Sequence, residues 1–151
     1  MAQTISLRRG YDIKLVGTPS SQNILSSQSN LCAVRPTIFR YQKLRLLVEE
    51  GTTVLAGTPL MEDKAFPGLY ICSPVSGKVH RIQRGPKRVL EAIVLEADSE
   101  TRYQDFGSAK PTELDAEAIR TKMMNSGVWA HLRQRPYNRM ARPDAQPRCI
   151  V

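Results

Sequence analysis

Long apolar runs are missing from this chain of 151 residues: the longest, Leu31–Val34, Leu69–Cys72 and Ala92–Leu95, stop at four. A membrane-spanning helix needs about 18 consecutive apolar residues, so none is expected. The opening Met1-Ala2-Gln3-Thr4-Ile5 has no charged leader, apolar stretch and small-residue cleavage site in succession, so no secretory signal is expected either. A cytoplasmic address follows from both. Cysteine is scarce too. Cys32, Cys72 and Cys149 are odd in number and lie 40 and 77 residues apart, which fits reduced, buried thiols rather than a disulfide framework. The two histidines, His80 and His131, are near no Cys-x-x-Cys pair and not at helical spacing, so no metal site is expected. Aromatics are few, at 6% with a single Trp, and no helix-turn-helix, finger or RNP pattern accompanies them. Nucleic acid is therefore not the expected partner.

What the chain does have is 41% hydrophobic residues, sufficient for a core at this length, and a net charge of +8 that is unevenly spread. Residues 1–48 hold seven Lys/Arg and one acid, residues 91–117 eight acids and two bases, and residues 120–151 seven bases and one acid. Such basic segments suit an acidic protein partner or anionic headgroups. Two clusters stand out as contact candidates, Arg81/Arg84/Lys87/Arg88 and Arg133/Arg135/Arg139/Arg142.

The spacing of the middle of the chain points to β structure. Val48, Gly51, Val54, Gly57 and Leu60 recur at every third residue, a period that suits neither a helix nor a long strand. It suits very short strands broken by tight turns, with each aliphatic side chain returning to a small barrel. Ile5–Leu7 alternates as a short strand, the polar stretch 18–30 reads as a loop, and Ser73-Pro74-Val75-Ser76-Gly77 forms a turn with a strand leaving it. Val89–Ala97 is the most strand-like run; its apolar residues fall on both parities, so both faces are expected to be covered. A helix is expected from Asp115, whose carboxylate caps free amides, to Asn125-Ser126-Gly127, with a second short one at Val128–Leu132 in which Trp129 is a packing anchor. The expected architecture is mainly β with a small helical C-terminal extension, divided into residues 1–98 (β domain), 99–138 (acidic linker and helical segment) and 139–151 (start of a following domain). The end Pro147-Arg148-Cys149-Ile150-Val151 reads as the beginning of an apolar, β-branched strand in want of continuation, as in a piece of a longer protein.

The block Val48-x-x-Gly51-x-x-Val54-x-x-Gly57-x-x-Leu60, followed by Ser73-Pro74-x-x-Gly77-x-Val79, resembles the barrel-sandwich hybrid of lipoyl and biotinyl carrier domains. Glu62-Asp63-Lys64-Ala65 resembles the turn on which lipoyl domains carry their cofactor, which makes a carrier modified on Lys64 the alternative reading. Phe66-Pro67-Gly68 lengthens that turn and speaks against it. Five further motifs occur in order: Arg9-Gly10-Tyr11-Asp12-Ile13, Val34-Arg35-Pro36, Glu62-Asp63-Lys64, Arg84-Gly85-Pro86-Lys87-Arg88-Val89-Leu90, and Ser126-Gly127-Val128-Trp129 with the residues up to Tyr137. Together they resemble the N-terminal portion of the A subunits of sodium-translocating NADH:quinone reductases, over essentially the whole chain.

That resemblance implies a peripheral subunit on the cytoplasmic side of the bacterial inner membrane, docked on an integral membrane subunit near the quinone site. It implies a complex that uses NADH, flavins, an iron–sulfur centre and quinone and exports sodium. Hydride or electron transfer requires a bound redox group. No Gly-x-Gly-x-x-Gly, Walker loop or cysteine cluster is present, so no catalytic, cofactor-binding or metal residue is expected in this chain and the piece by itself is expected to be non-catalytic. Arg81, Arg84, Lys87, Arg88, Arg133 and Arg135 are the candidate interface residues.

Overall fold

A computed structural model describes residues 16–17, 29–39 and 41–146. The strand expected at Ile5–Leu7, most of the loop 18–30, Cys149 and the apolar C-terminal end lie outside the described residues.

The β domain forms two antiparallel sheets. The larger has the order β1 (Leu31–Val34), β7 (Leu90–Ala97), β6 (Gly77–Arg84) and β3 (Thr53–Val54). The smaller has the order β2 (Leu44–Leu46), β4 (Pro59–Asp63) and β5 (Tyr70–Cys72). Val48, Val54, Leu60, Met61, Leu69, Ile71, Val79, Ile93 and Leu95 pool into one core that draws on both sheets. The three-residue spacing maps onto this core as expected. Val48, Val54 and Leu60 are buried, while Gly51 and Gly57 turn the chain with φ of 86° and 103°. At Gly57 the turn also passes close to the Phe106 ring, 3.0 Å from where a Cβ would stand, so backbone conformation and space both select glycine. The fold is a barrel-sandwich hybrid, mainly β.

The expectation for Val89–Ala97 holds only in part. Ala92, Ile93 and Leu95 are buried and Val94 is half-buried, but Glu96 is exposed, because the outer face of the larger sheet meets solvent towards that end.

Asp98 and residues 99–104, the start of the stretch expected to be a linker, are bonded along the barrel. Asp98 donates its backbone N–H to the Ser76 carbonyl at 2.9 Å, and Arg102 donates its own to Ser76 Oγ at 2.9 Å. The Ala56 N–H then donates to the Arg102 carbonyl at 2.9 Å, and the Gln104 N–H to the Ala56 carbonyl at 2.8 Å. After a 3-10 turn at Pro111–Glu113 comes α1 (Ala116–Asn125). Asp115 caps it, with Oδ1 accepting from the Ala118 N–H at 2.7 Å, and Gly127 ends it at φ 78°. A 3-10 turn at Val128–His131 leads into the ribbon of β8 (Arg133–Gln134) and β9 (Arg139–Met140). Trp129 packs against the core and donates Nε1–H to the Ala141 carbonyl at 2.8 Å. Ala130 and Met140 join the barrel's own core, so the extension closes over the β domain.

Cys32 and Cys72 carry free thiols but are half-buried rather than buried. Cys72 faces the extension: a Cβ at Gly127 would lie 2.9 Å from its Sγ.

Candidate docking surface at the basic end of the larger sheet

The β6–β7 hairpin carries the first cluster. Its register shifts between Val79 and Arg81, a bulge that turns both His80 and Arg81 outward before Ile82 resumes packing inward. Arg84 ends β6, and the turn Pro86–Arg88 forms the tip, with Lys87 and Arg88 at φ 56° and 61°. All four cations are exposed. Arg84 Nη1 lies 3.5 Å from the Arg88 carbonyl, the outer limit of a hydrogen bond. Glu91 is the acid at this tip. Its carboxylate fills the space a side chain at Gly85 would take, and Gln83 Nε2 donates to it at 3.4 Å.

The strand pairing brings two more residues to this end. β1 runs antiparallel to β7 with Val34 opposite Ile93, so the chain leaving β1 heads towards Leu90 and the hairpin tip. There the 3-10 turn Pro36–Ile38 packs on β7. Arg35 and Ile38 are exposed on it, as is Val89 on the hairpin. Phe39, the next residue, carries the Arg133 guanidinium over its ring, 5.6 Å from the centroid. The second cluster is thereby tied to the first through residues 36–39. Arg133 is half-buried by this contact, whereas Arg135 is exposed in the turn after β8.

Arg139 and Arg142 are engaged within the extension. Arg139 Nε donates to Gln134 Oε1 at 3.3 Å. Arg142 donates twice to Asp144, at 2.9 and 2.6 Å, and lies over the Phe66 ring. This pairing holds the Asp144 carboxyl below the usual carboxylate range. By contrast, Arg81, Arg84, Lys87, Arg88, Arg133 and Arg135 form no ion pair with a described residue, whereas Arg45, Arg102, Arg120 and Arg142 all do.

The Glu62-Asp63-Lys64 motif lies on the smaller sheet and is structural in geometry. Glu62 is buried; one oxygen pairs with the Arg45 guanidinium and Oε1 accepts from the Gly68 N–H at 3.0 Å. The Gly68 bond first, and Arg45 with it, holds this carboxyl below the ordinary glutamate value. Asp63 is 1% exposed and its Oδ1 accepts from the Ala65 N–H at 2.8 Å. Both acids thus tie down the connection 64–69. Lys64 is exposed at the start of that connection, with its N–H donated to the Lys43 carbonyl at 2.9 Å, and does not stand at a tight hairpin tip. Among the described residues no group of three His, Cys, Asp or Glu side chains could hold a metal ion.

Sequence reading picked out the six cations but missed Arg35, Ile38 and Val89 as their companions. The motifs Val34-Arg35-Pro36 and Arg88-Val89-Leu90 contained them, yet their adjacency depends on the β1–β7 register.

Comparison with known proteins agrees with the fold and the ordered motifs. Residues 5–98 match the family model of the NqrA N-terminal barrel-sandwich hybrid domain, and residues 114–151 match that of the NqrA second alpha/beta domain. The A subunit of the Na(+)-translocating NADH-quinone reductase of Photorhabdus laumondii is 33% identical over 150 residues. Its counterparts of the same name in Vibrio vulnificus and Yersinia pseudotuberculosis are 32% identical over 150 residues and 30% over 148. Each alignment takes in 97% of this chain and 33% of the relative, so the chain spans about a third of the length of the relatives it matches. With the first model alone accounting for more than half of its residues, the chain belongs to the NqrA family.

Proposed function

We propose that this chain is the N-terminal scaffold module of the A subunit of a Na(+)-translocating NADH-quinone reductase. In this reading it docks through the basic end of its larger sheet on an integral membrane subunit of the complex, near where quinone is handled, on the cytoplasmic side of the bacterial inner membrane. Electrons pass from NADH through flavins and an iron–sulfur centre to quinone in other parts of the assembly, and their passage drives sodium export. The module supplies rigid shape and charge, and no reacting group. Its parts are the β domain 1–98, the linker and helical segment 99–138, and 139–151, the start of a following domain whose first residues, Arg139 and Met140, still pair with β8, Met140 joining the core.

The observation that carries the docking reading is the set of cations at and beside one end of the sheet that form no ion pair with a described residue. Four other arginines, Arg45, Arg102, Arg120 and Arg142, pair with acids of the chain itself. Unpaired cations clustered on one side raise the potential there and steer an acidic partner into register. The name shared by the relatives supports the identity of the complex.

Charge reversal at Arg84 and Lys87 tests this reading. Both are exposed and free of ion pairs with described residues, so Arg84→Glu/Lys87→Glu is expected to leave the thermal midpoint of the chain unchanged. Incorporation into the complex, measured by co-purification in detergent, is expected to fall about tenfold or more. Unaltered incorporation overturns the docking role.

A further inference from the structure

We infer that the basic end of the larger sheet is a contact site for the headgroups of an anionic lipid bilayer, with the β6–β7 hairpin tip seated at the membrane surface. The inference rests on the docking reading for which end of the molecule meets the membrane; it gives the turn residues Lys87 and Arg88 to lipid phosphate and leaves Arg81, Arg84, Arg133 and Arg135 to the integral membrane subunit.

Three features of the tip favour a bilayer. The first is shape. Lys87 and Arg88 stand on the hairpin turn, Arg84 at the end of the strand that enters it, and Arg35 beside a second turn. Cations set on and beside turns suit a broad sheet of negative charge. The second is the company the cations keep. Val89 is 57% exposed and Ile38 58%, one on each turn, so each presents an aliphatic side chain among guanidinium and ammonium groups. That combination of basic residues with an apolar tip suits a surface whose phosphates lie just above an apolar interior.

The third feature is the backbone. Lys87 and Arg88 are successive non-glycine residues in the left-handed region, where glycine fits without steric cost. Neither side chain forms an ion pair with a described residue, and both are exposed, so nothing in the described fold accounts for keeping long cationic side chains there. Backbone strain at an exposed tip is accounted for if the side chains have work to do outside the chain.

The left-handed conformation also supplies a variant that is safe for folding. Lys87→Gly/Arg88→Gly removes two charges and relaxes both positions, so the thermal midpoint is expected to hold or rise. Lys78→Glu changes the net charge by the same amount at the other end of β6. It lies roughly 20 Å from Arg84 along the strand, more than two screening lengths at physiological ionic strength.

The test is co-sedimentation of the chain with vesicles of phosphatidylethanolamine and phosphatidylglycerol, against vesicles of phosphatidylcholine alone. Binding is expected to the anionic vesicles and to weaken with salt. Each cation near such a surface is worth roughly fivefold, so Lys87→Gly/Arg88→Gly is expected to lose about 25-fold, and Lys78→Glu less than about threefold. Equal losses from the two variants overturn the inference, since binding would then report net charge only. A chain that ignores anionic vesicles but still joins the detergent-solubilised complex also overturns it; the tip's occupant is then an acidic protein surface and the scaffold reading stands. Vesicle binding without incorporation into the complex supports the lipid site and counts against the scaffold reading.

Discussion

One oxygen of Glu62 pairs with Arg45 on the neighbouring strand β2, and the other holds the connection 64–69 to the smaller sheet through the Gly68 N–H. These bonds are made to the ionised form and place its folded-state pKa below the ordinary 4.5. Ionised Glu62 therefore contributes stability that is complete above 4.5 and is lost as the pH falls through the lower folded value. Glu62→Gln is expected to lower the thermal midpoint at neutral pH, with the gap to the parent chain closing in acid, as scans across that range would show. A gap independent of pH would mean that the carboxylate charge is not what matters. Burial acts in the opposite sense on Cys72, raising its thiol to about 11 from an ordinary 9.0. Gly77 shows how strict a single position can be. Its φ is 151° and a Cβ would stand 1.9 Å from the Glu96 carbonyl oxygen, so the strand β6 can begin beside the end of β7 only with glycine there.

The helix α1 has no fully buried residue and rests mainly on the following 3-10 turn, so its cap matters more than it would for a core helix. Asp115→Ala removes the bond to the Ala118 N–H and is expected to cost about 1 kcal/mol. Amide exchange at Ala118 and Ile119 should then speed up about fivefold, with the barrel strands unaffected. The cap was legible in the sequence because capping depends on near neighbours. The β6–β7 hairpin was legible as strand, turn and strand for the same reason. Its two register shifts were not, and the first of them decides that Arg81 faces solvent while Ile82 faces the core.

Across the whole molecule, the extension and the barrel share one core. Met140 is 1% exposed and Ala130 2%, both inside the cluster formed by the two sheets, and Gly127 lies against Cys72 of β5. A chain ending at residue 110 therefore loses cover over the smaller sheet. Losing the buried Met140 side chain and its neighbours is expected to remove at least about 2 kcal/mol from unfolding stability. A denaturant midpoint equal to that of the full chain would show that the extension contributes nothing to the barrel. The basic surface belongs to this scale as well: residues from β1, the hairpin and the β8 ribbon converge through Phe39, which no segment of sequence reveals by itself.

Sequence alone determined what depends on local geometry. Glycines and aliphatics at every third place can satisfy tight turns and a small core only as short strands, and the absence of long apolar runs leaves no spanning helix among the described residues. The charge runs along the chain likewise named the six cations. Tertiary structure decided which cations of the chain are neutralised and which are not, because ion pairs such as Arg45 with Glu62 and stacks such as Arg133 on Phe39 join residues far apart in the chain. It also decided that the acids beside Lys64 brace a turn. Burial and hydrogen-bond partners depend on strand register, and a shift of one residue would turn every side chain to the other face.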